Sequence, residues 1–409
     1  MNKNIKLAVA GAVLALSASA NAGIVIPAGE WTMDINGNVN AFATSVKGKG
    51  ATTNTAAIGG LATAPQTHED QSMGINTGLL PSWLGFTGKT RQNDVDVEFT
   101  ISMQPNASDN AGAGDAKTPL NRQAYVSFGD KSWGSVKLGK DIGIFASDAI
   151  LNDMTLLGVG VVNAGVTSGS STTLGGIGTG YIYAAWKGQV AYTTPNFNGF
   201  QATVGITNPN QGLGATAATY TTATLTTNIT QLYQDRYGLE GKASYSFSGD
   251  AASGKVWVSG ASYDVTYNTT GASYTASVAD VGMNINAGNL GLTGYYYSGE
   301  GVGTTILGNL GFNTTTAQKR DSDGGYAQIT YVLPTKTKLG FAYGTSNLDR
   351  ASSTDTGIIS KNERITVGAY HPLTKHLNLV AEYNDIESRV HDGTKGESQS
   401  GSLGAILFF

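Results

Sequence analysis

The sequence contains no cysteine among its 409 residues. Disulfide bonds, thiolate nucleophiles and cysteine-ligated zinc sites are therefore excluded. Charged residues are also scarce, at 13% of the chain, which is about half of the usual share. No stretch after residue 22 approaches the length of an apolar helix that could span a bilayer, so no transmembrane helix is expected there.

The first 22 residues have the pattern of a secretory signal peptide. Lys3 and Lys6 form a basic start, Leu7–Leu16 is apolar, and 20–22 (Ala-Asn-Ala) is a small-residue cleavage site. The alternative, a membrane-anchor helix, conflicts with the shortness of the apolar run. Cleavage before Gly23 would leave 409 − 22 = 387 residues with a net charge of −4 − 2 = −6. This modestly acidic balance argues against a nucleic-acid partner.

Two classes of exported protein remain, a soluble all-β protein and a membrane protein that spans with strands. Glycine is abundant, with 56 residues, which is about twice the usual share. In hydrocarbon every backbone polar group must be paired within the protein, so strands can span a membrane only as a closed barrel. Val95–Met103 alternates apolar and polar side chains without a break. A barrel strand and a sandwich strand both show this pattern, so it does not separate the two classes.

The lengths of the connections favour the barrel. Seven short turns rich in Asn, Asp, Gly or Pro alternate along the chain with eight longer polar segments. Fifteen connections join sixteen strands, and this alternation on an even strand number is typical of outer-membrane barrels. We therefore predict an all-β, transmembrane antiparallel β-barrel of 16 strands in residues 23–409, closed by strands near 31–44 and 399–409. The predicted turns are Arg91–Asp94, Gly129–Gly134, Asn196–Gly199, Ser248–Gly254, Asn286–Asn289, Pro334–Thr337 and Pro372–His376, and the predicted loops are 45–81, 105–119, 141–188, 208–235, 267–273, 300–323, 347–360 and 387–398.

The end of the chain is consistent with a closing strand. Leu403, Ala405, Leu407 and Phe409 alternate with other residues and form one apolar face. We expect this face to contact lipid, with the terminal aromatic side chain at the periplasmic interface. Leu407 and Phe409 are therefore predicted to signal assembly of the barrel rather than to affect conduction.

Several stretches resemble the Gram-negative general porins, which are trimeric sixteen-stranded diffusion channels. Residues 82–88 (SWLGFTG) are similar to their S-R-L-G-F-K-G, and 121–126 followed by 134–140 is similar to N-R-Q-A-F-V…G-x-V-x-L-G-R. Residues 192–200 match the strand and turn after their third loop, and 373–383 resembles their penultimate hairpin. The resemblance implies a homotrimer in the outer membrane of a Gram-negative bacterium, in contact with lipid, that passes small hydrophilic solutes and ions.

The segment 141–189 is too long for an ordinary connection, and loops of this length are usually functional. Its first part, 142–162, is far more apolar than an exposed loop should be. The resemblance implies that this third extracellular loop folds into the lumen and carries acidic residues, here Asp148 and Asp153. The next acidic position of the family is lost in 156–158. Residues 151–160 are similar to a porin subgroup linked with small organic acids.

The basic side of the predicted constriction departs from the family pattern. Strand alternation places Trp83 and Lys89 in the lumen, and likewise Lys137. Trp83 stands where the family has an arginine, and Thr193 stands where some members have another. Arg122 matches a retained arginine. We expect Asp148 and Asp153 to face Lys89, Arg122 and Lys137 across the narrowest part of the lumen.

Alternation and resemblance disagree on Arg122. Alternation turns it outward with Ala124, Val126 and Phe128, whereas the resemblance turns it inward and makes the opposite face, 123, 125 and 127, a subunit contact. We follow the resemblance.

Lys140 has the parity of the outward-facing Val136 and Leu138, so it should leave the lumen unless the chain bends at Gly139. Its alternative role is a latch between subunits, paired with Asp109 or Asp115 of a neighbour's second loop.

No pattern of catalytic or metal-binding residues is found. The four histidines lack metal-ligand spacing, no G-x-S-x-G occurs, and 175–180 lacks the strand and helix of a phosphate loop. Residues 321–325 lack the remaining ligands of a calcium loop. No cofactor and no enzymatic activity are expected. The alternatives to a diffusion porin are a porin selective for small organic acids and, in a different class, a secreted or surface-displayed β-rich adhesin.

Overall fold

Sixteen strands, β1–β16, form the main sheet of the protein and pair antiparallel with their neighbours in the chain. The computed structural model describes residues 23–50, 59–63, 70–105, 107, 120–162, 172–208, 219–221, 224–226, 232–233, 235–267, 271–353 and 355–409. The strands are Trp31–Gly50 (β1), Gln71–Asn76 with Trp83–Gln92 (β2), Val95–Gln104 (β3), Leu120–Asp130 (β4), Gly134–Ile142 (β5), Trp186–Thr193 (β6), Phe200–Thr207 (β7), Gly238–Ser248 (β8), Ser253–Tyr267 (β9), Ser273–Ala287 (β10), Leu290–Glu300 (β11), Asp321–Val332 (β12), Lys338–Leu348 (β13), Ile359–Pro372 (β14), Leu377–Val390 (β15) and Lys395–Phe408 (β16).

A few short elements accompany the sixteen strands. Ile24–Ala28 pairs with the start of β1, and Leu232–Tyr233 pairs with the end of β9. Helix α1 (Ser147–Leu151) and one turn of 3-10 helix (Met154–Leu157) lie between β5 and β6. Two small hairpins lie in the connections that follow β7 and β11, and they are Thr219–Thr221 with Thr224–Thr226 and Phe312–Asn313 with Gln318–Lys319. Within the described part of the chain, no helix is long and apolar enough to cross a membrane.

The sheet closes on itself between β16 and β1. The two strands pair from Asn38 with Phe408 to Gly50 with Gly396. Beyond the last strand residue, the Phe409 N–H donates to the Gly37 carbonyl at 3.0 Å, and the Gly37 N–H donates to the Phe409 carbonyl at 2.8 Å. Closure removes the exposed edges of the sheet. The predicted sixteen-stranded antiparallel barrel is confirmed.

Short turns and longer connections alternate as predicted over much of the chain. The predicted loop 45–81 is too long, because β1 continues to Gly50 and β2 begins at Gln71. The predicted longer connection after β9 has only the five residues 268–272, as many as the turn 333–337 between β12 and β13. Asn93 and Asp94 both have positive φ, of 47° and 61°, and they form the two-residue turn between β2 and β3 that suits the twist of a hairpin. The predicted long loop at 387–398 is wrong, because β15 continues to Val390 and β16 begins at Lys395. The polar composition of this region reflects strand ends outside the apolar band rather than a loop.

The two faces of the barrel wall differ in polarity. On β16, Leu403 is 67% exposed and Leu407 41% exposed, whereas the alternate side chains of Ile406 and Phe408 are buried. Similar exposed apolar residues occur on strands around the whole sheet, for example Val258 on β9 and Phe341 on β13. A charged side chain facing lipid at the bilayer midplane costs a barrel roughly 2–4 kcal/mol, whereas apolar side chains avoid this cost. The apolar outer face therefore suits contact with hydrocarbon.

Candidate pore constriction

The connection from β5 to β6 is described over residues 143–162 and 172–185, and these two parts are together called the segment 143–185. They pack against the side chains that alternate with the exposed apolar ones. Phe145, Ile150 and Tyr181 of this segment share a buried apolar cluster with Trp257 on β9 and Tyr326 on β12. Its residues 154, 157 and 159 belong to a second cluster, whose wall residues lie on β1 and β13–β16. One connection therefore contacts a large part of the wall on a single face.

Two buried carboxylates on the wall bind backbone N–H groups of this segment at two separate places. Glu240 on β8, 0% exposed, accepts the N–H groups of Ile144 at 2.7 Å and Phe145 at 2.9 Å and the Lys187 ammonium at 2.6 Å. Because Lys187 is also buried, this pair is shielded from water.

Glu382 on β15 makes the matching contact farther around the barrel. Its carboxylate accepts the N–H groups of Val159 at 2.9 Å and Gly160 at 2.8 Å and the Tyr370 hydroxyl at 2.7 Å. A Cβ atom added at Gly158 would lie 2.0 Å from this carboxylate, so a larger residue there would displace Glu382 from its hydrogen bonds.

Asp148 lies in α1 and is held by two lysines. Its carboxylate binds Lys242 on β8 at 3.2 Å and also forms an ion pair with Lys255 on β9. Burial by itself would raise the pKa of Asp148, but the Lys242 and Lys255 ammonium groups outweigh burial and hold that pKa below its usual range.

Asp153 begins the 3-10 turn and organises the loop around itself. Its carboxylate accepts the N–H groups of Thr155 and Gly176 and the hydroxyl of Tyr181, each at 2.9 Å. The nearest cation is Arg364 on β14, which lies 3.8 Å away and is itself buried.

The predicted basic residues have different partners. Lys89 pairs with Glu98 at 3.2 Å, and Lys137 pairs with Asp141. Arg122 donates to the Tyr183 hydroxyl at 3.0 Å.

Among the described residues, Asp148 and Asp153 therefore do not pair with Lys89, Arg122 or Lys137. Both acids pair with inward-facing cations on β8, β9 and β14 that were not among the predicted constriction residues. A buried carboxylate is tolerated only when it is paired, and these cations are the ones within reach of the loop. Strand alternation could have predicted that Lys242 points inward. Lys242 lies on the same face of β8 as the buried Glu240, whereas Leu239 lies on the exposed face.

Between the loop segment and β1–β6 lies a cavity of about 630 Å³. Its wall side is polar and aromatic, whereas its loop side is apolar. A second cavity, of about 840 Å³, lies at the end of the barrel with the short turns and shares Lys89 and Glu98 with the first. The main lining residues of the first cavity are Trp83, Lys89, Arg122, Tyr125, Asp141 and Trp186 on the wall side and Ile150, Leu151, Leu156, Leu174 and Ile177 on the loop side.

Arg122 reaches this cavity through a β-bulge. Ser102 on β3 pairs with Gln123, but the next residue, Met103, pairs with Asn121, so Arg122 is an extra residue in β4. A bulge re-aims the side chain of its extra residue. The guanidinium group lies 5.6 Å from the ring centre of Trp186.

The side chains next to Arg122 also face inward. Gln123 and Tyr125 line the same cavity as Arg122, and Ser127 lines the second one. The expectation that this polar face forms a subunit contact is therefore wrong, because the bulge puts Arg122 on the same side as Gln123.

Trp83 also lines the cavity and is half-buried. Its indole N–H donates to the Asn36 side-chain oxygen at 3.3 Å, and its ring centre lies 6.4 Å from that of Phe408. Phe408 is the last residue of β16, the strand that closes the barrel. Trp83 therefore connects the cavity to the closing strand.

The structure places Lys140 away from the cavity. Its ammonium donates to the Asn121 carbonyl at 2.9 Å. Its predicted partners Asp109 and Asp115 lie outside the described residues.

A closed barrel with an apolar outer face and a charged inner cavity defines the class of membrane channels that span with strands. A model of the Gram-negative porin family matches residues 7–391, and the chain belongs to this family. The protein is accordingly a multi-pass β-barrel porin channel of the Gram-negative outer membrane. No curated protein sequence matches the chain.

Solved outer-membrane proteins share the fold at low sequence identity. The outer membrane channel DcaP of Acinetobacter baumannii aligns with a TM-score of 0.68 and 15% identity, over 95% of this chain and 100% of its own. Salmonella typhi OmpF, solved in complex with daunomycin, aligns with 0.58 and 14%, over 94% and 100%. OmpT of Vibrio cholerae aligns with 0.57 and 14%, also over 94% and 100%.

Proposed function

We propose that the protein is a water-filled channel through which small hydrophilic solutes and ions diffuse passively across the outer membrane. The observation that carries this proposal is the charged cavity between the 143–185 segment and β1–β6. We further infer that this segment lies in the lumen and forms one side of the constriction, since it packs on the face of the wall opposite to the exposed apolar side chains.

The constriction in this proposal consists of Trp83, Lys89, Arg122 and Lys137 on the wall, with Asp148 and Asp153 as anchors of the loop. Lys89 and Lys137 are neutralised by Glu98 and Asp141. Among the described residues, Arg122 has no carboxylate within salt-bridge distance. Arg122 is therefore the residue that we expect to dominate ion selectivity.

Recording in planar bilayers tests the channel function. Purified protein should produce discrete conductance steps that scale with the salt concentration, as a water-filled passage requires. Protein that inserts without any conductance steps would contradict the proposal.

Selectivity for small organic acids is a second candidate, favoured by the setting of Arg122. A guanidinium group that has no carboxylate partner among the described residues, in a cavity also lined by Leu151, Leu156 and Leu174, suits a solute with one carboxylate and an apolar body. Benzoate should then reduce the ion current at concentrations where the neutral benzamide has no effect. Equal effects of the two solutes would contradict this selectivity and leave general diffusion.

We also propose removal of residues 1–22 on export and assembly as a homotrimer in contact with outer-membrane lipid. The resemblance to trimeric porins supports the trimer, and one solved form of Vibrio cholerae OmpT is described as a trimer form. Lys140 on the outer side of the wall remains available for the latch proposed above. A soluble β-rich adhesin would not need the apolar outer face.

A further inference from the structure

The second strand of the barrel is interrupted, although both of its parts pair with β1. Asn76 pairs with Phe42 at the end of the first part, and Trp83 pairs with Asn38 at the start of the second. The six residues between them, 77–82 (TGLLPS), leave the sheet. We name this segment the β2 turn.

The side chains of Asn38 and Asn40 on β1 bind three backbone groups of the β2 turn. The Asn40 amide donates to the Leu80 carbonyl and the Asn38 amide to the Pro81 carbonyl, each at 2.9 Å. The Asn40 side-chain oxygen accepts the Gly78 N–H at 2.9 Å, and the Asn40 N–H donates to the Ser82 hydroxyl at 3.0 Å. Unpaired backbone groups in a membrane-spanning wall are costly, so these bonds allow the sheet to open without that cost.

The β2 turn also contacts the loop segment 143–185 directly. The Leu79 N–H donates to the Gly158 carbonyl at 2.9 Å, and the Thr173 N–H donates to the Thr77 carbonyl at 3.2 Å. A Cβ atom added at Gly78 would lie 2.3 Å from the Gly158 carbonyl oxygen, so the contact requires a glycine. The turn and the loop are thus fixed at a set distance from each other.

The side chains of the β2 turn line the same cavity as Arg122. Leu79, Leu80 and Pro81 all border it, next to Leu156 of the loop segment. Among these, Leu80 is only half-buried, so its side chain is accessible from the cavity.

We propose that the β2 turn is a second selectivity element of the channel, in addition to the 143–185 segment. It sets the width of the passage beside Trp83 and gives that passage an apolar surface. Solutes with an apolar side should pass more easily there than fully hydrated ions of similar size. This inference rests on the proposed channel function.

Cysteine scanning tests the inference, because the natural chain has no cysteine to interfere. Leu80→Cys places a thiol in the predicted passage. Val39→Cys is the matched control, since Val39 lies on the adjacent strand β1 and is 57% exposed on the outer face. A water-soluble, negatively charged methanethiosulfonate is added during bilayer recording. We expect the Leu80→Cys current to fall at least two-fold and the Val39→Cys current to stay unchanged.

Arg122→Cys serves as the positive control for the passage. If Arg122→Cys responds and Leu80→Cys does not, the inference is wrong and the channel function stands. Equal responses at Leu80→Cys and Val39→Cys, or a response at Val39→Cys alone, would also overturn it. If the wild-type protein forms no channels, the proposed function fails, and the inference fails with it.

Discussion

Arg122 enters the cavity because β4 carries one residue more than β3 at this point. Without the bulge it would share the outer face of Val126 and Phe128, where a charge in hydrocarbon is costly. Strict alternation predicted that outward position, since a bulge leaves no mark in the sequence. The Tyr183 hydroxyl and the Trp186 ring then fix the guanidinium group.

Replacing Arg122 by alanine should make the channel more cation-selective. Among the described residues, Arg122 is the one cation bordering the cavity that has no carboxylate partner. Its removal makes the electrostatic potential in the cavity less positive and so less favourable for anions, and we expect the anion-to-cation permeability ratio to fall roughly two-fold or more. Reversal potentials in a salt gradient measure this ratio. The effect should shrink from 0.1 M to 1 M salt as the Debye length shortens from about 10 Å to about 3 Å.

Arg389→Ala is the matched control for this change. Arg389 lies near the end of β15 that faces the loops, is 42% exposed and pairs with Glu387. It does not border the cavity. A shift as large as that of Arg122→Ala would show that any lost cation has the same effect, and Arg122 would have no special role.

Asp148→Asn should destabilise the folded barrel. The substitution leaves the ammonium groups of Lys242 and Lys255 close together without their shared carboxylate. Loss of one partner of a buried pair costs about 3–5 kcal/mol, and partial exposure of the two lysines should reduce this to roughly 1–3 kcal/mol. Denaturant unfolding in detergent measures the loss. The exposed Asp94, which lies 3.9 Å from Arg91, provides Asp94→Asn as a control with little expected effect.

The effect of Asp148→Asn should depend on pH. The pKa of Asp148 is lowered in the folded chain. Its contribution is therefore fully present above about pH 4, the unfolded value, and is lost as pH falls through the folded-state pKa. Wild type and variant should become equally stable in acid. A constant difference at all pH values would show that the carboxylate charge is not responsible.

Among the elements, the connection 143–185 was predictable in its existence but not in its contacts. Its length and its apolar residues distinguish it from an exposed loop. Its partners depend on which strands the connection reaches after it leaves β5. Sequence patterns do not show how far across the barrel the connection extends. Hence Asp148 and Asp153 were predicted as acids of this loop, whereas Lys242, Lys255 and Arg364 were missed as their partners.

Glu240→Gln should loosen this connection where it leaves β5. Glutamine can still accept the N–H groups of Ile144 and Phe145, but the buried Lys187 loses its counter-charge. We expect a loss of roughly 3–5 kcal/mol in the free energy of unfolding, measured in detergent, and noisier open-channel currents.

Two variants separate charge from packing at this site. The double change Glu240→Gln with Lys187→Met removes both charges and should recover most of the stability, since removing a whole buried pair is often near neutral. Glu300→Gln breaks a more exposed pair with Lys319 and should cost no more than about 1 kcal/mol. If the double variant is no more stable than Glu240→Gln, the unpaired Lys187 is not the cause.

For the whole molecule, the strand count and the closure were predictable because they depend on repetition. Alternating turns and loops and a period of two in the side chains occur many times, so single errors such as the missed end of β15 leave the count unchanged. The interruption of β2 was not predictable in this way. It occurs once and depends on Asn38 and Asn40 of a different strand.

Closure of the barrel leads to a prediction for Phe409. Its backbone exchanges two hydrogen bonds with Gly37, and its ring lies close to the place where a Cβ at Gly37 would be. Deleting Phe409 removes these last contacts between β16 and β1 and the terminal residue of the apolar face that includes Leu407. We therefore expect at least a several-fold loss of folded barrel in the outer membrane, whereas export and removal of residues 1–22 continue normally.

Heat-modifiable migration of the membrane fraction on gels measures the folded share. Phe341→Ala, which removes an exposed aromatic ring from the outer wall on β13, is the control and should assemble normally. Normal assembly of the deletion variant, or an equal defect in Phe341→Ala, would show that Phe409 is not the assembly signal.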